Sequence, residues 1–135
     1  MECDRIFVYG TLRKGVRPDI HQRYLGDQAE FLGDGTVAGR LWRVDWYPAL
    51  TEGLAADERV LGEVYRLLQP TESIAELDRF EVCDLKRPEA SEYTRRIVAI
   101  TLGNGSETTA WCYYFLGAVD GLQRLKSGDF AGESV

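Results

Sequence analysis

The chain has little of what a metal centre or a disulfide framework needs. Its 135 residues include three cysteines and one histidine. Cys3, Cys83 and Cys112 are odd in number, far apart and without a CxxC pair, so they read as reduced thiols. Cys112 lies in an apolar run and reads as a small core residue. His21 sits in a polar stretch near Asp19 and Arg23 with no ligand spacing around it. It reads as a surface residue, and neither a metal site nor a Cys–His pair is expected. No run of about 18 apolar residues occurs, and Glu2, Asp4 and Arg5 replace the basic and apolar start of an export signal. The expectation is therefore a cytoplasmic protein without a membrane span. Basic residues are also short: 16 Lys and Arg face 22 Asp and Glu, a net charge of −6. That balance argues against nucleic acid or an anionic membrane surface as partner.

What is present fits one domain over residues 1–135, with 44% hydrophobic residues to fill a core. Ile6, Phe7, Val8 and Tyr9 suit a buried strand, which runs straight into the small-residue corner Gly10-Thr11-Leu12. Gly10 is expected to free the backbone at positive φ, and such a corner can present N–H groups as an anion nest. Taken alone, it reads first as an ordinary strand end with a glycine turn. Residues 13–34 are expected to form a long connection with a helical turn near Ile20 to Leu25. Gly35 to Val44 reads as one strand, Asp45 to Leu50 as a turn around Pro48, and Val60 to Leu68 as a strand interrupted by Gly62. A helix follows Pro70, with Ser73 and Glu76 spaced for a capping box and Ile74 and Leu77 on its apolar face. Residues 82–92 form a charged loop. Tyr93 to Leu102 and Thr108 to Leu116 read as a hairpin about Gly103-Asn104-Gly105. The tail from Gly117 is expected to be helical at Leu122 to Lys126 and to pack over one end of the sheet. Five or six hairpin-linked strands with one main helix make an α+β pattern, and a small mixed, partly closed β-barrel hides its edges best.

Ile74, Leu77 and Glu81 stand at i, i+3 and i+7, on one helix face. A carboxylate at that apolar edge, near the negative end of the helix dipole, has its pKa raised toward neutrality, as a general base requires. The competing reading ends the helix at Arg79 or Phe80 and leaves Glu81 in solvent. Asp78, at the margin of the stripe, is expected to orient or cap. Glu63, between apolar neighbours on its strand, is a weaker pocket candidate with a structural role as the alternative. Most of the aromatic residues belong to the core; Tyr93 reads first as a satisfied core tyrosine, with a hydroxyl reaching a ligand near Glu81 as the functional alternative. Arg95 and Arg96 are expected to pair with acids on a neighbouring strand.

Six short segments follow one another in a telling order: Phe7-Val8-Tyr9-Gly10-Thr11-Leu12, Tyr47-Pro48-Ala49-Leu50, Gly62-Glu63-Val64-Tyr65, Leu77-Asp78-Arg79-Phe80-Glu81, Tyr93-Thr94-Arg95-Arg96 and Ser127-Gly128-Asp129-Phe130. Together they resemble the gamma-glutamylcyclotransferase-like family over nearly the whole chain. The resemblance implies a small mixed barrel whose pocket is walled by the Tyr-Gly-Thr-Leu loop. It carries the family's general acid/base glutamate onto Glu81, and it places substrate contacts at Tyr9, Gly10, Thr11, Leu12 and Tyr93. The reaction implied is lyase-type release of 5-oxoproline and an amine from a small gamma-glutamyl substrate, without metal or cofactor. A non-catalytic protein binding a small carboxylate metabolite in the same pocket is the alternative. Two departures stand out: Val82 follows Glu81 where the family often has Gly, and the loop from Cys83 to Glu92 is longer and more charged than in the smallest relatives. That loop is placed to cover the substrate beyond the γ-amide. Nothing in the sequence sets the leaving amine or the oligomeric state.

Overall fold

The apolar run near the N-terminus is buried on both of its faces. In the computed structural model, which describes residues 3–131, β1 is Arg5–Val8. Ile6 and Val8 pack into one core cluster, Phe7 and Tyr9 into a second on the opposite face. A strand enclosed in this way reads as a continuous apolar run rather than an alternation. The elements that follow are α1 (Pro18–Tyr24), β2 (Ala29–Ala38), β3 (Arg40–Arg43), β4 (Pro48–Thr51), β5 (Arg59–Leu67), α2 (Pro70–Phe80), β6 (Tyr93–Leu102), β7 (Glu107–Phe115) and β8 (Gln123–Arg124).

Five strands close a mixed barrel in the order β1-β5-β2-β6-β7. The seam is a short parallel pairing of β1 with β7, where Ile6 faces Trp111. The remaining three strands form a separate sheet in the order β4-β3-β8. The α+β barrel expected from the hairpin pattern is present, joined by a sheet that the pattern did not suggest. On β7 the two-residue alternation is clear, with Trp111 and Tyr113 in the α2-side cluster and Ala110, Cys112 and Tyr114 inside the barrel. Gly62 lies within β5 without interrupting it. A Cβ there would stand 2.3 Å from the Val8 carbonyl oxygen and 2.6 Å from the Phe7 ring, so this close strand approach requires glycine.

Several local expectations are corrected. β2 begins at Ala29 rather than Gly35, inside the stretch read as a connection. Its first half is mostly exposed and carries a bulge between Phe31 and Gly33, so no clean alternation marks it. The stretch 35–44 breaks at Gly39 into β2 and β3, strands of different sheets. Pro48 starts a strand, not a turn. β4 is an edge strand, where a missing N–H costs no ladder bond. At Leu122 to Lys126 the chain forms β8, not a helix; β8 pairs with Trp42 and Arg43 while Leu125 fills the core. The end of the tail, including Gly132, lies outside the described residues. The Ser73–Glu76 capping box does not form, because Pro70 starts α2 with Gln69 at the N-cap. Ser73 thereby falls inside the helix, where it is buried and donates its N–H to the Gln69 carbonyl.

Candidate active site

α2 ends at Phe80, as the solvent reading of Glu81 supposed, yet Glu81 does not leave the protein. The helix closes in a Schellman motif. Cys83 N–H donates to Asp78 C=O at 2.8 Å and Val82 N–H to Arg79 C=O at 3.3 Å. The motif needs a left-handed residue at position 82, and Val82 adopts φ 53°, the one positive value among described non-glycine residues. A β-branched side chain is strained there. The resulting turn carries Glu81 onto the wall of a cavity of about 220 Å³, together with Tyr9, Gly10, Thr11, Leu12 and Tyr93. All six residues singled out from the sequence thus line one pocket.

The Glu81 carboxyl makes no hydrogen bond to any described residue. Burial pushes its pKa up to about 8, and the nearby acids Glu92 and, more weakly, Asp78 push in the same direction. Opposite it, the corner is a turn closed by Arg13 N–H on Gly10 C=O at 3.0 Å, which leaves the N–H groups of Gly10, Thr11 and Leu12 outside that bond. Gly10 is needed for a reason other than the one expected. Its φ is not positive. A Cβ at Gly10 would lie 2.5 Å from Cγ of Pro48, the first residue of β4.

Two side chains expected elsewhere brace this corner. His21 is half-buried rather than a surface group, and its Nδ1 lies 2.9 Å from the Leu12 carbonyl oxygen. A carbonyl only accepts, so Nδ1 carries the proton. Glu63 takes its structural alternative and stays out of the pocket. It accepts from Lys14 N–H at 3.0 Å and from the Tyr65 hydroxyl at 2.8 Å, and pairs with Arg13 at 3.5 Å.

The Tyr93 ring lines the pocket, but its hydroxyl is committed to the Pro48 carbonyl at 2.7 Å. The Tyr9 hydroxyl is likewise spent on the Tyr113 carbonyl at 2.6 Å. Asp78 orients, as expected: it accepts from the Tyr113 hydroxyl at 2.7 Å and takes both arms of Arg95 at 2.9 and 3.0 Å. The partner of Arg95 is thus on the helix, not on a neighbouring strand. Arg96 pairs with Glu52, just past β4, at 2.6 Å.

Sequence reasoning missed Glu92, Trp46 and Tyr113 as pocket residues. Glu92 sits among Asp84, Glu89 and the other charges of its loop, and nothing local separates it from the exposed Glu89. Its place just ahead of Tyr93 was the available signal. No cluster of metal-ligating side chains occurs among the described residues, and no helix there is long and apolar enough to cross a membrane.

A family model for gamma-glutamyl cyclotransferase, AIG2-like, matches residues 6–132. The chain belongs to this family. The gamma-glutamylcyclotransferase family protein YtfP of Escherichia coli K12 is 34% identical over 127 residues, 93% of this chain and 95% of that protein. Its solution structure superposes with a TM-score of 0.61 at 33% identity, over 95% of this chain and 96% of that one. The gamma-glutamylaminecyclotransferase A of Danio rerio is 31% identical over 117 residues, 82% of this chain and 68% of that protein. The crystal structure of the mouse AIG2-like protein covers 89% of this chain and 82% of that one at 24% identity, with a TM-score of 0.67. At that identity the match speaks for the fold alone.

Proposed function

We propose that this protein is a gamma-glutamyl cyclotransferase, releasing 5-oxoproline and an amine from a gamma-glutamyl amide with Glu81 as general base and acid. The observation that carries the reading is the pairing, across one cavity, of a half-buried, unpartnered carboxyl with the turn at Gly10 to Leu12, and desolvation pushes the pKa of that carboxyl up to about 8. The turn holds the substrate's α-carboxylate. The α-ammonium then lies beside Glu81, whose raised pKa brings it closer to that of the amine, so proton transfer between them is less uphill than to an ordinary carboxylate. Once it loses its proton to Glu81, the α-amine attacks the γ-carbonyl carbon and closes the five-membered lactam. As the bond from that carbon to the amide nitrogen breaks, Glu81 gives its proton to the departing nitrogen, then takes the second proton from the ring nitrogen and passes it on, so the amine leaves as an ammonium and the lactam nitrogen keeps one hydrogen. Atoms and charge balance without water, metal or a covalent enzyme intermediate. Holding the chain of the substrate curled for attack supplies much of the acceleration.

The test is 5-oxoproline release, followed by mass spectrometry, from a panel of gamma-glutamyl amides. Turnover by the parent, lost in Glu81→Gln while substrate binding persists, is the expected result. Ligand binding without turnover by the parent on any member would leave the protein a metabolite binder and overturn the proposal.

A further inference from the structure

The cavity has an inner and an outer half. Glu81 shares the inner half with the buried rings of Tyr9, Tyr93 and Tyr113, while Trp46, 51% exposed, marks the mouth. Between them stands Glu92, the second carboxylate of the lining, and no Lys, Arg or His among the described residues lines the cavity with it.

Glu92 is held firmly. Its N–H donates to the Val82 carbonyl at 2.8 Å and its carbonyl accepts from Leu116 N–H at 2.9 Å. The Tyr47 hydroxyl donates to Oε1 at 2.7 Å, and that bond with burial pushes the Tyr47 phenol up to about 12, so it stays a donor. The other carboxyl oxygen has no partner among the described residues. Trp46 meets Tyr47 edge-on at 5.1 Å, and the Arg17 guanidinium rests 5.6 Å from the indole centroid, itself paired with Asp19 at 3.4 Å. The mouth is therefore an acid and two aromatic rings, one of which already carries a cation.

From this arrangement we infer that Glu92, buttressed by Tyr47, is a specificity-determining residue that selects gamma-glutamyl conjugates whose leaving amine bears a second, positively charged amine. This rests on the glutamyl head lying in the inner half, with its γ-amide directed outward past Glu92. An ammonium a few bonds beyond the amide meets the free oxygen of Glu92 and the face of an aromatic ring. A carboxylate at the same place, as in an ordinary gamma-glutamyl amino acid, meets the Glu92 carboxylate and no cationic lining residue, the Arg17 guanidinium on the Trp46 ring being already paired with Asp19. Such a site rejects it by like-charge repulsion as well as by a missing contact.

Three conjugates of matched size test the inference: those of diaminobutane, butylamine and aminobutyrate, whose leaving groups are cationic, neutral and carboxylate-bearing. The parent is expected to favour the first over the second by about ten-fold or more in kcat/KM, and the third to be poorest. Glu92→Gln removes most of the cationic-over-neutral ratio, and Tyr47→Phe lowers it in part. Any influence of Glu92 on Glu81 acts on all three conjugates and cancels in that ratio. Calorimetric binding of the same conjugates to Glu81→Gln gives the preference without turnover. Tighter binding of the cationic conjugate with no 5-oxoproline from the parent sinks the catalytic reading and upholds this one. Turnover with equal ratios in parent and Glu92→Gln does the reverse.

Discussion

Replacing Glu81 by Gln should stabilise the protein near neutral pH, and the size of the gain follows from its surroundings. Desolvation pushes the half-buried carboxyl up to about 8 in the folded chain, against an ordinary value of 4.5. The folded state therefore keeps a proton that the unfolded state releases, and the contribution of this group is full below pH 4.5 and lost as pH rises through about 8. At about 1.36 kcal/mol for each tenfold difference, the loss amounts to about 3 kcal/mol at pH 7 and about 5 kcal/mol once Glu81 is fully ionised. Water at the open mouth of the pocket solvates part of the charge, so the expected gap between Glu81→Gln and parent at pH 7–8 is about 2–3 kcal/mol. Gln is nearly isosteric and cannot ionise, and the variant also removes the repulsion from Glu92 and Asp78.

Denaturant unfolding of both proteins at a series of pH values provides the assay. The two stability curves should converge near pH 4 and separate steadily toward pH 8, with the variant above, which corresponds to a Tm gap of about 6–12 °C at the alkaline end. Curves that run parallel from pH 4.5 to 8 would mean that Glu81 is not desolvated in the folded protein, and the argument for a neutral-range base would fall with it.

Other consequences are more local. Val82→Gly removes a β-branched residue from the left-handed position of the Schellman turn, relieving about 1–2 kcal/mol of strain against about 0.5–1 kcal/mol of added chain entropy, so denaturant unfolding should show a net gain below about 1.5 kcal/mol. Arg95→Met leaves Asp78 without its two-armed partner and should cost about 2–4 kcal/mol, of which the double variant with Asp78→Asn recovers about half in a double-mutant cycle. In that single variant the bare Asp78 charge opposes ionisation of Glu81, so the acid limb of kcat/KM should move to higher pH. Gly10→Ala places a methyl 2.5 Å from Pro48 Cγ. It should cost about 1–3 kcal/mol in unfolding experiments and raise KM more than it lowers kcat, because the displaced corner holds the substrate rather than reacting with it.

The parts of the fold legible from sequence were those set by long periodic stretches. β1, β5, α2 and the β6–β7 hairpin stand where pattern and turn chemistry put them, because β1, β5, α2 and β7 bury apolar faces and Gly103-Asn104-Gly105 sets the turn that brings the mostly exposed β6 beside β7. β2, β4 and β8 were misread for the opposite reason. The first half of β2 buries almost nothing, Pro48 stands on an edge strand, and β8 is two residues fixed by pairing with β3 and by Leu125 in the core. Of the pocket, the helix face led to Glu81 and the small-residue corner to Gly10, Thr11 and Leu12. Glu92 and Trp46 reach the same cavity only through tertiary closure of two loops, and no local pattern encodes that.

The departures from local rules are concentrated. A β-branched residue takes a left-handed conformation at Val82, a half-buried carboxyl stands without a hydrogen-bond partner at Glu81, and a second acid stands close enough at Glu92 to raise its pKa. Gly10 sits beneath Pro48 with no room for a methyl. All four lie on or directly beside one cavity, while the bulge of β2 and the close approach at Gly62 belong to strand pairing in the barrel. Strain and buried charge of this kind persist only where the surrounding structure imposes them, and they gather where a chain is shaped for binding or chemistry rather than for stability. That distribution favours a working site by an argument independent of family membership. If the departures were merely tolerated, Val82→Gly and Glu81→Gln would stabilise the protein at no cost to ligand binding or turnover. If instead Glu81 moves the proton in the reaction, the stability gained by Glu81→Gln is accompanied by loss of turnover.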